Sequence, residues 1–214
     1  MSKDFSILIG GAAGKGSRKA GLVIAKLFSE LGYRIFIYDD YQSLIRGGHN
    51  FSQIRASKEK VLSHRRKIDF LLALDEITIE KHQSDLDKEG IIIYNSDKAS
   101  VKNISNKNKK AVGIAVETIV KEIGGVSIMG NTAFVAGFAK IVGVEWEILE
   151  EVLKKEFKKS QELNLKIAKK AFDETKSLIK IDKINQEPLS LLTGNEALCL
   201  GAVKAGLDFI LPIQ

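Results

Sequence analysis

Residues 7–21 read ILIGGAAGKGSRKAG, a short apolar run that breaks into a glycine-rich, basic loop and then into a helical pattern. Ile7, Leu8 and Ile9 are apolar without alternation, as in a strand whose sheet is covered on both faces, and Gly10 and Gly11 are expected to end it. Gly11, Gly14 and Gly16 permit positive φ and close backbone approach. Ser17, Arg18 and Lys19 then open a helix whose first free amides carry the positive end of the macrodipole, an arrangement that holds phosphates and other anions. The loop departs from the standard nucleotide signatures. G-x-G-x-x-G is met only with Ala13 as its middle glycine, and the P-loop pattern fails because Ile9 stands where its first glycine belongs. Taken alone, such a turn also serves plain packing with no ligand.

Outward from this stretch, Leu22 to Leu31 carries apolar side chains at helical spacing and stops at Gly32, and Arg34 to Tyr38 (RIFIY) reads as a second strand. The unit is β-α-β. Asp39 and Asp40 close it about twenty residues after the glycine loop, where a dinucleotide-binding protein places its ribose-binding acid. On local grounds the start of the chain is a Rossmann-like nucleotide binder.

Bulk properties bound the rest. With 214 residues the chain can bury one substantial core and part of another. Its 33 Lys and Arg against 27 Asp and Glu give a net charge of +6, spread rather than blocked, which favours anionic ligands mildly. The N-terminal apolar run is too short for a signal segment, and no stretch approaches the roughly eighteen apolar residues of a membrane span, so a cytoplasmic protein without membrane contact is expected. Cys199 is the only cysteine, which excludes an intrachain disulfide and any iron–sulfur or structural zinc cluster held by this chain alone.

The next stretch, Tyr41 to Asn50 (YQSLIRGGHN), is a polar loop with a serine, an arginine beside two glycines, and a histidine, followed by a strand-like FSQIRAS. Together the two loops resemble the gamma subunit or domain of the 2-oxoacid:ferredoxin oxidoreductases (pyruvate, 2-oxoglutarate and 2-ketoisovalerate types), in the fused form where gamma precedes the alpha part. The residues that carry the resemblance are Gly11, Gly14, Gly16 and Gly21 in the first loop and Ser43, Arg46, Gly47 and Gly48 in the second.

The remaining pattern agrees with an α/β layer. Ile68 to Leu74 is a buried-strand run ending at Asp75; Glu76 to Lys88 is polar and weakly helical; Ile91 to Tyr94 is a short strand. Lys102 to Lys110 reads as a solvated loop rather than a nucleic-acid contact, Ala111 to Val116 as a strand and Glu117 to Ile123 as a helix. Alternating strands and helices predict a three-layer α/β/α, Rossmann-like domain with a mainly parallel sheet. A helical C-terminal extension follows: Asn131 to Val142, rich in small residues; a segment with Trp146, Leu149, Val152, Leu153 and Phe157 at helical spacing; and Ser160 to Thr175, amphipathic and lysine-studded. Lys176 to Pro188 lacks periodicity and reads as a linker.

Leu192 to Phe209 carries a helix start at Asn195, Glu196 in its first turn and a Gly206 stop. This resembles the first helix of the family's alpha, thiamine-diphosphate pyrimidine-type domain, which opens with the same Gly-Asn-Glu-Ala. The resemblance therefore divides the chain into a gamma-type domain at 1–176, a linker at 177–190 and the start of an alpha domain at 191–214. Most of the alpha part is absent, so the polypeptide is either truncated or completed by a separate chain.

For the complete enzyme the resemblance implies oxidative decarboxylation of a 2-oxoacid at thiamine diphosphate with Mg²⁺, electron transfer through iron–sulfur clusters to ferredoxin, and capture of the acyl group by coenzyme A. The thiamine and iron–sulfur groups would sit on partner subunits or missing domains. This chain, inactive by itself, would cap the active site and help hold coenzyme A. Its phosphates suit the amides of Gly11 to Gly16 and Ser17 with Lys15, Arg18 and Lys19 beside them. Arg46 would make charge-assisted bonds, with Gly47 and Gly48 leaving room and Ser43 donating a hydroxyl. His49 reads as a hydrogen-bonded loop histidine. His64 and His82 have no metal-ligand spacing and are assigned nothing, and Cys199 reads as a small buried hydrophobe. Two other classes remain open: a free-standing Rossmann-like NAD(P)- or flavin-dependent oxidoreductase, favoured only if Asp39 faces the ligand cleft, and a non-catalytic interaction subunit.

Overall fold

The computed structural model describes residues 4–41, 48–100, 102, 104–105 and 110–207. Six strands form one sheet: β1 (Asp4–Ala12), β2 (Arg34–Asp40), β3 (His49–Ser57), β4 (Ile68–Ala73), β5 (Leu86–Asn95) and β6 (Lys110–Ile114), in the order β2-β3-β1-β4-β5-β6. β4 pairs parallel with β1, β5 with β4, and β6 with β5, whereas β3 runs antiparallel to both β1 and β2. Five strands thus share one direction and β3 alone opposes them, so the expected mainly parallel sheet holds. The local β-α-β unit is altered, however: β2 is parallel to β1 but one strand removed, because β3 is inserted between them. β1 also continues through Gly10 and Gly11 to Ala12. Both glycines serve close approach there. An added Cβ would meet His49 and Thr78 at Gly10, and Leu74 at Gly11.

The strand period of two splits the apolar run of β1 between two cores. Ile7 and Ile9 join the larger one, under α1 (Ser17–Glu30), α3 (Val116–Ile123), α4 (Gly130–Ile141), α5 (Trp146–Glu156) and α6 (Gln161–Glu174). Leu8 joins the smaller one, with Leu71, Ile92 and Ile79 of the short α2 (Glu76–His82). The three layers are therefore unequal. α4 is apolar all round, as a helix must be when helices and sheet surround it, and Phe134, Phe138 and Ile141 are fully buried. Phe138 stacks on Phe28 at 6.3 Å and meets Phe70 edge-on at 5.6 Å, which ties α4, α1 and β4 together.

Residues 176–191 run over the molecule without regular structure, yet they are fastened. Leu178 and Ile179 donate to the Ile141 carbonyl, Ile181 to that of Val142 and Ile184 to that of Leu31. Tyr33 Oη donates to the Asp182 carbonyl at 2.9 Å, and burial pushes that phenol up to about 12. Ile181 and Ile184 are buried. A last helix, α7 (Gly194–Lys204), starts with a capping box in which Thr193 and Glu196 exchange bonds, and it has no buried residue. Cys199 on it is exposed, against the expectation of a buried thiol, because nothing among the described residues covers this helix.

Candidate functional site

The shared direction of five strands gathers their C-terminal ends at one edge, where ligands of open α/β sheets collect. The opposed β3 begins at that edge, so its first residue, His49, pairs with Ala12, the last of β1. The Ala13 amide donates to the Gly48 carbonyl at 3.1 Å. The two glycine loops are thereby neighbours, joined through Gly48. Ser43, Arg46 and Gly47 lie outside the described residues.

The first loop is shaped by two left-handed glycines, Gly14 (φ 79°) and Gly16 (φ 82°), which no other residue type adopts cheaply. Gly16 is the N-cap of α1, and Ser17 is buried as its first residue. Between this loop and the ends of β4, β5 and β6 lies an open cleft. It is lined by Gly14, Lys15, Asp75, Asn95, Glu117 and Asn131, among others. Four helix starts converge on it, and they are not electrically equivalent. Asp75 caps α2 through the Thr78 amide at 3.0 Å, with Glu76 in the first turn, and Glu117 occupies the first turn of α3. α1 has neither a side-chain cap nor an acid in its first turn, and the same holds for the turn 127–129 that leads into α4. The positive ends of α1 and α4 therefore remain open to an external anion.

The basic residues divide in a way the sequence did not disclose. Arg18 donates from Nε to Asp39 at 3.1 Å, and Ser52 Oγ donates to the other Asp39 oxygen at 2.5 Å. Asp39 is thus engaged on both oxygens beside an edge strand, which removes it from the ribose-binding place. Lys19 and Lys26 both bond Glu156 of α5, the former at 2.5 Å. That carboxyl is held below its ordinary range: burial raises it, but the two ammonium groups together outweigh the burial. Lys15 has no ion pair among the described residues and stands at the mouth of the cleft.

A second polar feature lies on the other side of β1. His49 Nε2 and His82 Nε2 are 2.8 Å apart with ring centroids at 5.0 Å, so the nitrogens face each other head-on and one proton is shared between them. His49 is buried and packs on Phe51; its Nδ1 has no hydrogen-bond partner among the described residues. Burial lowers both imidazoles, His82 to about 4, with the neighbouring His49 adding to the effect. Nothing in the sequence marks His82 as a partner of His49, since 33 residues separate the two and no spacing signals the pair. Among the described residues no group of three or more His, Cys, Asp or Glu side chains is placed to hold a metal ion. A lone cysteine also cannot by itself ligate an iron–sulfur cluster.

The chain is similar to the KorC subunit of 2-oxoglutarate synthase from Archaeoglobus fulgidus, 27% identical over 81% of this chain and 89% of that subunit. It is also similar to the alpha subunit of 2-oxoacid:ferredoxin oxidoreductase 2 from Aeropyrum pernix, 22% identical over 97% of this chain but only 40% of the longer one. Among solved structures, a 2-oxoglutarate:ferredoxin oxidoreductase from Magnetococcus marinus, with 2-oxoglutarate, coenzyme A and succinyl-CoA bound, has the same fold. It superposes with a TM-score of 0.81 at 22% identity, over 97% of this chain and 38% of its own. The chain thus spans about two fifths of these longer relatives. The family model for pyruvate ferredoxin/flavodoxin oxidoreductase matches residues 6–174, the whole sheet with α1 to α6, and the chain belongs to that family.

Proposed function

We propose that this chain is the gamma-type component of a 2-oxoacid:ferredoxin oxidoreductase, capping its active site and binding coenzyme A in the cleft beside the glycine loop. The observation that carries this reading is the junction of the two loops at Gly48, beside an uncapped helix start and Lys15, a lysine with no ion pair among the described residues. Coenzyme A brings a diphosphate and a further phosphate. The amides of Gly16, Ser17 and Arg18, the open ends of α1 and α4, and Lys15 supply complementary charge without reorganisation. Gly14, which has open space around it, lets the ligand approach the backbone, whereas Gly11 is buried against Leu74; Ser43, Arg46 and Gly47, expected from the sequence to contact the ligand, lie outside the described residues. Arg18 and Lys19 act at longer range, since each has a carboxylate partner of its own.

Thiamine diphosphate with Mg²⁺ and iron–sulfur clusters, held on partner subunits or missing domains, would supply the chemistry of decarboxylation and of electron transfer to ferredoxin. This chain would position and shield the acyl acceptor, and alone it would turn over no 2-oxoacid. The family match ends at residue 174, and the subunit-sized relative covers 81% of the chain where the longer ones cover 97%. This supports a boundary near residue 176, a fastened linker at 177–190 and a second domain beginning at 191. No described helix is long and apolar enough to cross a membrane, in keeping with a cytoplasmic place. Asp39, engaged by Arg18 and Ser52, gives no support to a nicotinamide site.

Calorimetry on the reconstituted complex tests the reading. A charge-assisted bond contributes about 1.5–3 kcal/mol, so Lys15→Ala or Arg46→Ala should weaken coenzyme A binding about ten- to a hundredfold with unchanged melting. Wild-type affinity in both variants would remove the anion site from this cleft.

A further inference from the structure

We infer that Asn131 is the positioning residue of this site: its side-chain amide holds the Lys15–Gly16 peptide so that the Gly16, Ser17 and Arg18 amides converge on one anion. The inference rests on the coenzyme A reading of the cleft. Asn131 Nδ2, in the first turn of α4, donates to the Lys15 carbonyl at 2.8 Å across a sequence separation of 116 residues. The bond is tightly seated. A Cβ added to Gly16 would lie 2.5 Å from the same Nδ2.

The consequence follows from peptide geometry. In a trans peptide the carbonyl and the following N–H point in opposite directions, and no peptide here is cis among the described residues. With the Lys15 carbonyl turned toward α4, the Gly16 N–H is turned away from it. Gly16 is left-handed (φ 82°, ψ 19°) and Ser17 begins the right-handed α1. A left-handed residue followed by a right-handed one brings three successive amides into a concave, anion-binding nest. The amides of Gly16, Ser17 and Arg18 have no backbone acceptor among the described residues. Rotation of the Lys15–Gly16 peptide would dissolve that nest while leaving α1 itself intact, and Asn131 is the side chain seen to oppose the rotation. Asn131 also lines both the polar cleft and a small apolar cavity between α1, α4 and α5, so its position is fixed from two sides.

Amide-resolved NMR of the ¹⁵N-labelled full chain, titrated with coenzyme A, tests this directly. In the wild type the Gly16 amide should shift on titration. In Asn131→Ala that response should be lost and affinity should fall about three- to tenfold, the scale of one neutral hydrogen bond, with melting and the remaining spectrum preserved. Asn131→Asp guards against a folding defect. Its carboxylate favours the start of α4 but repels the Lys15 carbonyl, so the ligand-free Gly16 signal should move even though the protein melts no lower. A Gly16 response to coenzyme A that is the same in wild type and Asn131→Ala overturns the role of Asn131 and leaves the site standing. No response at Gly14 to Arg18 in the wild type overturns the coenzyme A site, and this inference with it.

Discussion

At the scale of single residues, the His49–His82 pair makes the sharpest prediction. The two imidazoles share one proton in a half-dry environment, with Asp75 at the cap of α2, Lys81 of α2, Asp40 of β2 and Asp85 after α2 as the charged groups around them. Burial lowers both in the folded chain, His82 to about 4 from an ordinary 6.5, so the unfolded chain binds protons more readily. Their contribution is fully present above pH 6.5 and is lost as pH falls toward 4. Between pH 7.5 and 5 the protein should lose about 1 kcal/mol or more, or about 2–4 °C of melting temperature. His82→Gln keeps a donor toward His49 and removes one titrating ring. Its melting temperature should depend clearly less on pH, and an unchanged slope would clear the pair of this role. That Gly16 can take a positive φ before a helix beginning at Ser17 was legible in the sequence, because only glycine adopts that backbone freely. The histidine pair was not, because it depends on where β3 lies relative to α2.

The elements show the same division between local and long-range information. α6 was readable from its amphipathic spacing and α4 from its run of small and apolar residues, each with bounds within about two residues, since both signals are local. The place of β3 was not readable. Nothing in FSQIRAS says that it enters the sheet between β1 and β2, and that choice moves Asp39 out of the ligand cleft. The strap at 176–191 lacked periodicity for a related reason: it is held by backbone bonds and by two isoleucines, neither of which leaves a repeating pattern. Its tightest contact is with Gly32 (φ 87°), where an added Cβ would lie 2.3 Å from the Ile184 carbonyl. Gly32→Ala meets both backbone strain and a clash with main chain, so it should destabilise the fold by about 2 kcal/mol or more. Gly14→Ala carries similar strain but open space and is the matched control. Equal melting of the two variants would show that the strap is only loosely attached.

For the molecule as a whole, the question is where the fold ends. α7 is apolar around most of its circumference, with Leu198, Leu200 and Val203 more than half exposed, a composition that water does not support in an independent helix. Its capping box fixes where it starts but not what it packs on. The helix start at the Gly-Asn-Glu-Ala wording was legible, whereas the exposure of Cys199 was not, because burial on a helix depends on what packs against that face. If α7 belongs to that second domain, it contributes nothing to the stability of the first, and the strap contributes much. Two truncations separate these contributions. A chain stopped after Leu192 should melt within about 1 °C of the full chain and bind less of a hydrophobic dye. A chain stopped after Lys176 loses the burial of Ile181 and Ile184, about 1.5–3 kcal/mol each before ordering costs are subtracted. Its melting temperature should therefore fall by several degrees. A large loss already at Leu192 would mean that α7 packs on the first domain in solution and would end the proposal that residue 191 opens a second one.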